Sequence, residues 1–153
     1  MRTQSHRSAR RRRQRRGVAA LETAIVLIPV LMFLMGILEY SRYLMVMSLA
    51  GNACREGARY AVVHTYDKTT ADIQAVTLSM LAGQGASISG LTVQVYEADP
   101  TTGANVGAWT DAKFGESIAV RITGTYQPIV PKLLMMGNTI PVSIQAVMNS
   151  EAN

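Results

Sequence analysis

From Val18 to Leu38 the chain reads VAALETAIVLIPVLMFLMGIL, twenty-one residues in which Glu22 is the only ionisable side chain. As a helix rising ~1.5 Å per residue this stretch reaches roughly 31 Å, the thickness of a bilayer's hydrocarbon core. The uninterrupted apolar part, Ala24 to Leu38, is fifteen residues and too short alone. Spanning therefore draws Val18 to Leu21 into the bilayer and sets Glu22 just inside the cytoplasmic edge. A buried core helix is the first alternative, but a chain of 153 residues has little material with which to surround one. A cleaved secretory signal is the second, since a basic region precedes the apolar run. Its small-residue exit is poorly supplied, because Glu39, Tyr40, Ser41 and Arg42 follow Leu38. The sequence thus predicts a single-pass anchor.

Orientation follows from charge. Eight of the fifteen basic residues (Arg2, Arg7, Arg10, Arg11, Arg12, Arg13, Arg15 and Arg16) fall in the first sixteen positions, with no acid among them. The remaining seven face ten acidic residues, so the net charge of +5 describes a basic tail on a mildly acidic protein. Such an excess holds the N-terminus in the cytoplasm. The expected organisation is a basic cytoplasmic leader over 1–17, a membrane helix over 18–38 and a periplasmic or extracellular domain over 39–153.

Glu22 is the residue that asks for an explanation, because a carboxylate within an apolar span is costly and by default functional. Two readings stand. If the chain is cut after Gly17, the new amine of Val18 pairs with Glu22 of a neighbouring copy when helices bundle, and assembly satisfies the charge. Otherwise Glu22 snorkels to the headgroups. Pro29 and Gly36 read as an ordinary kink and a point of close approach.

Here the chain resembles a family. A basic leader ending in Gly17, then a small apolar run with Glu22 five residues on, resembles the processing site of type IV prepilins. The stretch RRGVAALETAIVLIPVLMFLMGILEYSRYL, followed by NACREGARYAVV, is similar to the TadE-like proteins of tight-adherence (Flp) pilus systems. The likeness covers about Arg15 to Val63. It implies a pilin-like fold and a minor pilin or pseudopilin cut between Gly17 and Val18 by a prepilin peptidase. It also implies a place in the bacterial inner membrane beside other pilin or pseudopilin subunits and the pilus assembly machinery. Thr23 departs from the aromatic residue that major Flp pilins carry after the glutamate, which argues for an accessory subunit.

The helix is expected to continue beyond the membrane to about Val63, since no proline interrupts it. Asn52, Arg55, Glu56 and Arg59 recur on one face at helical spacing, and Tyr43, Met47, Ala50, Cys54, Ala58 and Ala61 on the other. Arg55, Glu56 and Arg59 read as a solvent face, and the resemblance adds the reading of a partner-binding face. Glu39 and Arg42 form an i, i+3 pair at the outer interface, with Tyr40 and Tyr43 suited to an aromatic belt. Gly51 and Gly57 are expected to allow close approach to a sheet or another helix. The sole cysteine, Cys54, is expected to be a buried apolar residue.

A second helix is predicted over Ala71 to about Leu81, capped by Thr70, with Ile73, Val76, Thr77 and Met80 as its apolar stripe and Gly83-Gln84-Gly85 ending it. The period then becomes two. Leu91, Val93 and Val95 mark one strand, Ile118, Val120 and Ile122 a second running to Tyr126, and Val142, Ile144, Ala146 and Met148 a third. Asp99 to Gly103 reads as a turn. Leu133 to Met136 is either a short buried connection or an exposed apolar tip. These elements make an α+β fold, a long helix packed on a small antiparallel sheet with one additional helix.

No catalytic arrangement is legible. His6 and His64 stand apart, no metal-ligand set is visible, and Asp99 and Asp111 lack calcium-loop spacing. The arginine leader contains no aromatic residue for stacking on bases, and its topological role accounts for it. The sequence reads as a non-enzymatic pilus component without cofactor, metal or nucleic-acid partner. The alternative is an unprocessed membrane-anchored binding module.

Overall fold

A computed structural model describes residues 5–132 and 135–151, with 5–17 as backbone only. The side chains of the basic leader and the pair Leu133-Leu134 therefore lie outside the described residues. Helix α1 runs from Ser5 to Val63, 59 residues, and continues through Pro29 without a break. At ~1.5 Å per residue it extends roughly 88 Å. Its last third has two faces. Val46, Ala50, Ala53, Cys54, Ala58 and Ala61 are wholly buried, while Asn52, Arg55 and Arg59 face solvent. The expected division of this segment into an inner and an outer face is met.

Four antiparallel strands follow: β1 (Ile88–Ala98), β2 (Asn105–Gly107), β3 (Ser117–Tyr126) and β4 (Ile140–Asn149), in the order β2-β1-β3-β4. The three predicted strands fall within β1, β3 and β4, and the alternation places the expected residues on the helix side. Ile118, Val120 and Ile122 at the centre are fully buried beneath α1. β2, too short to show a period, escaped the sequence reading. An extra residue interrupts β1 between Ser89 and Thr92 opposite Gly124, where Gly90 takes a φ of 63°. Such a bulge bends the strand and increases its twist, and the sheet curls around the helix.

The sheet lies alongside α1. At one end Ile88, Tyr126 and Val142 pack with Val46 and Tyr43. At the other, the Glu151 amide donates to the Val62 carbonyl at 3.1 Å. On the outer face the β1–β2 loop folds back over Tyr96, Ala98 and Ala119, and Gln145 Nε2 donates to the Gly103 carbonyl at 2.8 Å.

Helix α2 (Thr70–Ser79) departs from expectation by one residue at its start. The cap is Thr69, not Thr70. Its hydroxyl accepts from the Asp72 amide at 3.4 Å, while the Thr69 amide donates to the Asp72 carboxylate at 2.9 Å. A reciprocal box satisfies two amides and outcompetes a lone hydroxyl one residue later. Thr70 instead accepts from the indole of the single tryptophan, Trp109, at 2.9 Å. Ile73 and Thr77 are buried as predicted, but Met80 remains 45% exposed and Leu81 fills the core in its place. The reason is that α2 ends at Ser79, so the chain turns before Met80 can continue the stripe.

The two glycines of the outer helix differ. A side chain at Gly57 would collide with the Thr77 hydroxyl and sit 3.3 Å from Val120 Cγ1. This glycine therefore sets the separation of α1 from both α2 and β3. Gly51 has nothing within 4 Å of a built Cβ and makes no close approach. Replacing Gly57 with Ala is expected to destabilise the domain by about 1–3 kcal/mol through overpacking. Gly51→Ala should stabilise it by about 0.5–1 kcal/mol through helix propensity. Denaturant unfolding of the full chain in detergent, followed by Trp109 fluorescence, measures both.

Candidate functional site

The domain leaves α1 bare from Val18 to Met35. Within its most apolar window only 6% is buried, and this helix is long and apolar enough to cross a membrane. Val18 is 64% and Phe33 62% exposed. A surface of this kind needs lipid or other helices around it, which removes the core-helix alternative. The one hydroxyl of the segment bonds back to the helix: Thr23 Oγ1 donates to the Ala19 carbonyl at 2.9 Å. Pro29 lacks an amide, so the Ile25 carbonyl loses its usual helical partner. Val30, Phe33 and Leu34 border Pro29 in a shallow apolar groove.

Glu22 lies one turn along from Val18, on the order of 6 Å up the helix axis. It lines a second groove with Ala19, Thr23, Val26, Leu27 and Val30. No hydrogen bond or ion pair within the described residues reaches its carboxylate. The Gly17–Val18 bond lies in the helical backbone of α1. Val18 and Glu22, four residues apart, share one side of α1 at the start of the apolar segment.

Arg55, Glu56 and Arg59 lie far along the helix, on its solvent side. Glu56 Oε2 accepts from Arg59 Nε at 3.0 Å and from a second guanidinium nitrogen at 2.9 Å, while Arg55 donates to Asn52 Oδ1 at 3.1 Å. An exposed pair of this type contributes about 0.3–0.5 kcal/mol, so stability alone is a weak reason for it. Arg59 also borders a groove between the end of α1 and β4, with Val62, Val147, Met148 and Glu151. Among the described residues no three His, Cys, Asp or Glu side chains gather as a metal site. Burial pushes the Cys54 thiol up to about 11, and it faces the Ile144 carbonyl at 3.4 Å.

The sequence reading missed the role of Glu39. Helical spacing marks the Glu39–Arg42 pair, present at 3.3 Å, at the outer interface, without indicating that Glu39 is buried. In fact Glu39 is only 5% exposed. Its Oε1 accepts from the Tyr126 hydroxyl at 2.7 Å and its Oε2 from the Ile129 amide at 3.2 Å. Arg42 donates to Tyr126 at 3.0 Å and to Ser87 at 3.1 Å. Tyr43, which helical spacing puts on the inner face and which also suited an aromatic belt, packs inward, edge-on against Tyr126 at 5.3 Å. Tyr126 drew it inward, a partner too distant in sequence for periodicity to reveal. This junction clamps the domain to α1 immediately after the apolar segment.

Burial opposes the Glu39 charge, but bonds from Tyr126, Ile129 and Val130, together with Arg42, outweigh it and lower its pKa from 4.5. Burial, followed by the bond to Glu39, raises the Tyr126 hydroxyl to about 12. Linkage gives the signs. The Glu39 contribution is complete above its ordinary value of 4.5 and is lost as pH falls through the lower folded value. The Tyr126 contribution is complete below 10 and is lost as pH rises toward about 12. Unfolding of Glu39→Gln should therefore converge with that of the parent chain only at acid pH, and Tyr126→Phe only at strongly alkaline pH. Equilibrium unfolding across pH checks both.

Comparison with known proteins adds one finding. No curated protein and no solved structure matches the chain. The junction, the Glu22 region and the Arg55–Arg59 face all lie on α1 or are organised by it, and most of that helix is covered by a family match: residues 17–59 are similar to the family described as TadE-like protein.

Proposed function

We propose that the chain is a minor pilin or pseudopilin, which takes part in assembling a Flp-type type IV pilus or a related secretion system after cleavage between Gly17 and Val18. It works in the bacterial inner membrane. The arginine leader lies on the cytoplasmic side and the α+β domain lies in the periplasm or at the cell surface. Its partners are a prepilin peptidase, other pilin or pseudopilin subunits and the inner-membrane assembly machinery. The role is structural, with no cofactor and no nucleic acid.

The observation that carries this reading is Glu22, an exposed carboxylate within a bare apolar surface and without a partner among the described residues. A charge in that setting is stabilised most readily by a cation brought by another molecule. The amine that processing would create at Val18 belongs to the same short stretch of helix, so stacked copies bring amine and carboxylate together. The TadE-like match over residues 17–59 supports the same reading, because it includes Gly17, Val18 and Glu22. Arg55 and Arg59, on the solvent side of α1, supply a face for a neighbouring subunit or the machinery.

Terminal sequencing of the chain isolated from its own membranes should find Val18 first. A chain beginning near Met1 would favour the unprocessed binding module, and one beginning after Leu38 a cleaved signal. Glu22→Gln should leave the protein in the membrane while lowering its incorporation into assemblies about a hundredfold or more, the scale of a broken buried ion pair. Cross-linking yield between subunits measures it. Normal assembly by this variant would sink the amine–carboxylate pairing.

A further inference from the structure

The loop joining β3 to β4 carries apolar side chains that the domain does not cover. Ile129 is 71%, Val130 37% and Met135 99% exposed. The tip is closed by the Lys132 amide, which donates to the Met136 carbonyl at 3.0 Å, and Met136 itself is buried at 4% exposure. Lys132 and Met135 both take left-handed backbone, with φ of 64° and 68°. Non-glycine residues rarely adopt that conformation, and it clusters where a surrounding contact requires it. At Met135 it holds a long apolar side chain wholly away from the domain.

The location of the loop decides what covers it. The Ile129 amide donates to Glu39 Oε2 at 3.2 Å, and Glu39 directly follows Leu38, where the apolar segment ends. The loop is therefore pinned at the level at which α1 leaves the bilayer. Exposed apolarity alone does not mark a membrane contact, since Phe114 is 68% exposed. That residue lies near the opposite end of the sheet, where the adjoining Gly115 amide donates to the Ser150 carbonyl.

We infer that the described part of the β3–β4 loop is a second membrane contact. Ile129, Val130 and Met135 enter the boundary between headgroups and acyl chains in the leaflet from which α1 emerges, and Lys132 stays among the phosphates. Apolar side chains lying in that boundary beside a cation are the chemistry of interfacial anchoring. The occupant is lipid because the loop continues the surface of the span at the same depth. The assignment rests on α1 spanning a membrane. With two points of attachment the domain has a fixed tilt on the bilayer.

The test uses the full chain reconstituted in phosphatidylcholine vesicles, with an environment-sensitive dye on Met135→Cys, Phe33→Cys or Phe114→Cys. Cys54 is buried and does not compete for label. Lipids carrying a nitroxide just below the headgroup should quench the dyes at positions 33 and 135 severalfold more than the dye at 114. Quenching at 33 with position 135 no more affected than 114 overturns the inference and leaves the span intact. No quenching at 33 removes the span, and the inference with it. Should the dye at 135 escape lipid quenching, yet be shielded from aqueous iodide only at high protein density, a neighbouring subunit covers the loop and the lipid assignment is wrong.

Discussion

How closely α1 can approach the sheet governs the rest of the domain. The buried face of the helix is built from Ala50, Ala53, Cys54, Gly57, Ala58 and Ala61, residues with little side chain to hold a neighbour away. The sheet supplies the bulk instead, through Ile118, Val120 and Ile122. Thr77 of α2 occupies the space that a side chain at position 57 would take. Dispersion falls off steeply with separation, so small residues on one surface and branched ones on the other fill the interface densely. The curl of the sheet and the seat of α2 both adjust to that contact.

The same helix carries a bare apolar surface and a packed one, and Glu39 lies where they meet. A carboxylate there is expensive to cover unless its oxygens are bonded, and Tyr126, Ile129 and Arg42 meet that requirement. The arrangement fixes the rotation of the domain about α1, since a bonded charge tolerates little angular error. Glu22 presents the opposite case within the same helix. It has no partner among the described residues, and the difference separates a charge that completes a fold from one open to another molecule.

Local pattern made much of this legible. Helical spacing from Tyr43 to Ala61 and alternation in β1, β3 and β4 are short-range signals, and the α+β architecture follows from them. Glu22 stands out in the sequence because a lone acid in an apolar run is conspicuous. What stayed hidden depends on residues distant in the chain. Nothing near Glu39 announces a tyrosine 87 positions away. The capping box at Thr69 was a misjudged competition between adjacent threonines. Met135 and Met136, which the sequence left open as buried or exposed, divide one each way, because a left-handed turn sends neighbouring side chains in opposite directions.

The topology also imposes an order of events. Apart from α2, α1 packs mainly on β3 and β4, the last strands of the chain, and its end is met by Glu151. Contacts of such sequence separation form late, after the entropy of closing long loops has been met. During synthesis the outer half of α1 therefore emerges with its alanine-rich stripe uncovered, and it stays so until about ninety further residues have followed. A chain stalled or truncated before β4 would leave that stripe open to any apolar surface nearby. Quality control would meet this intermediate as an unpaired helix joined to a half-built sheet.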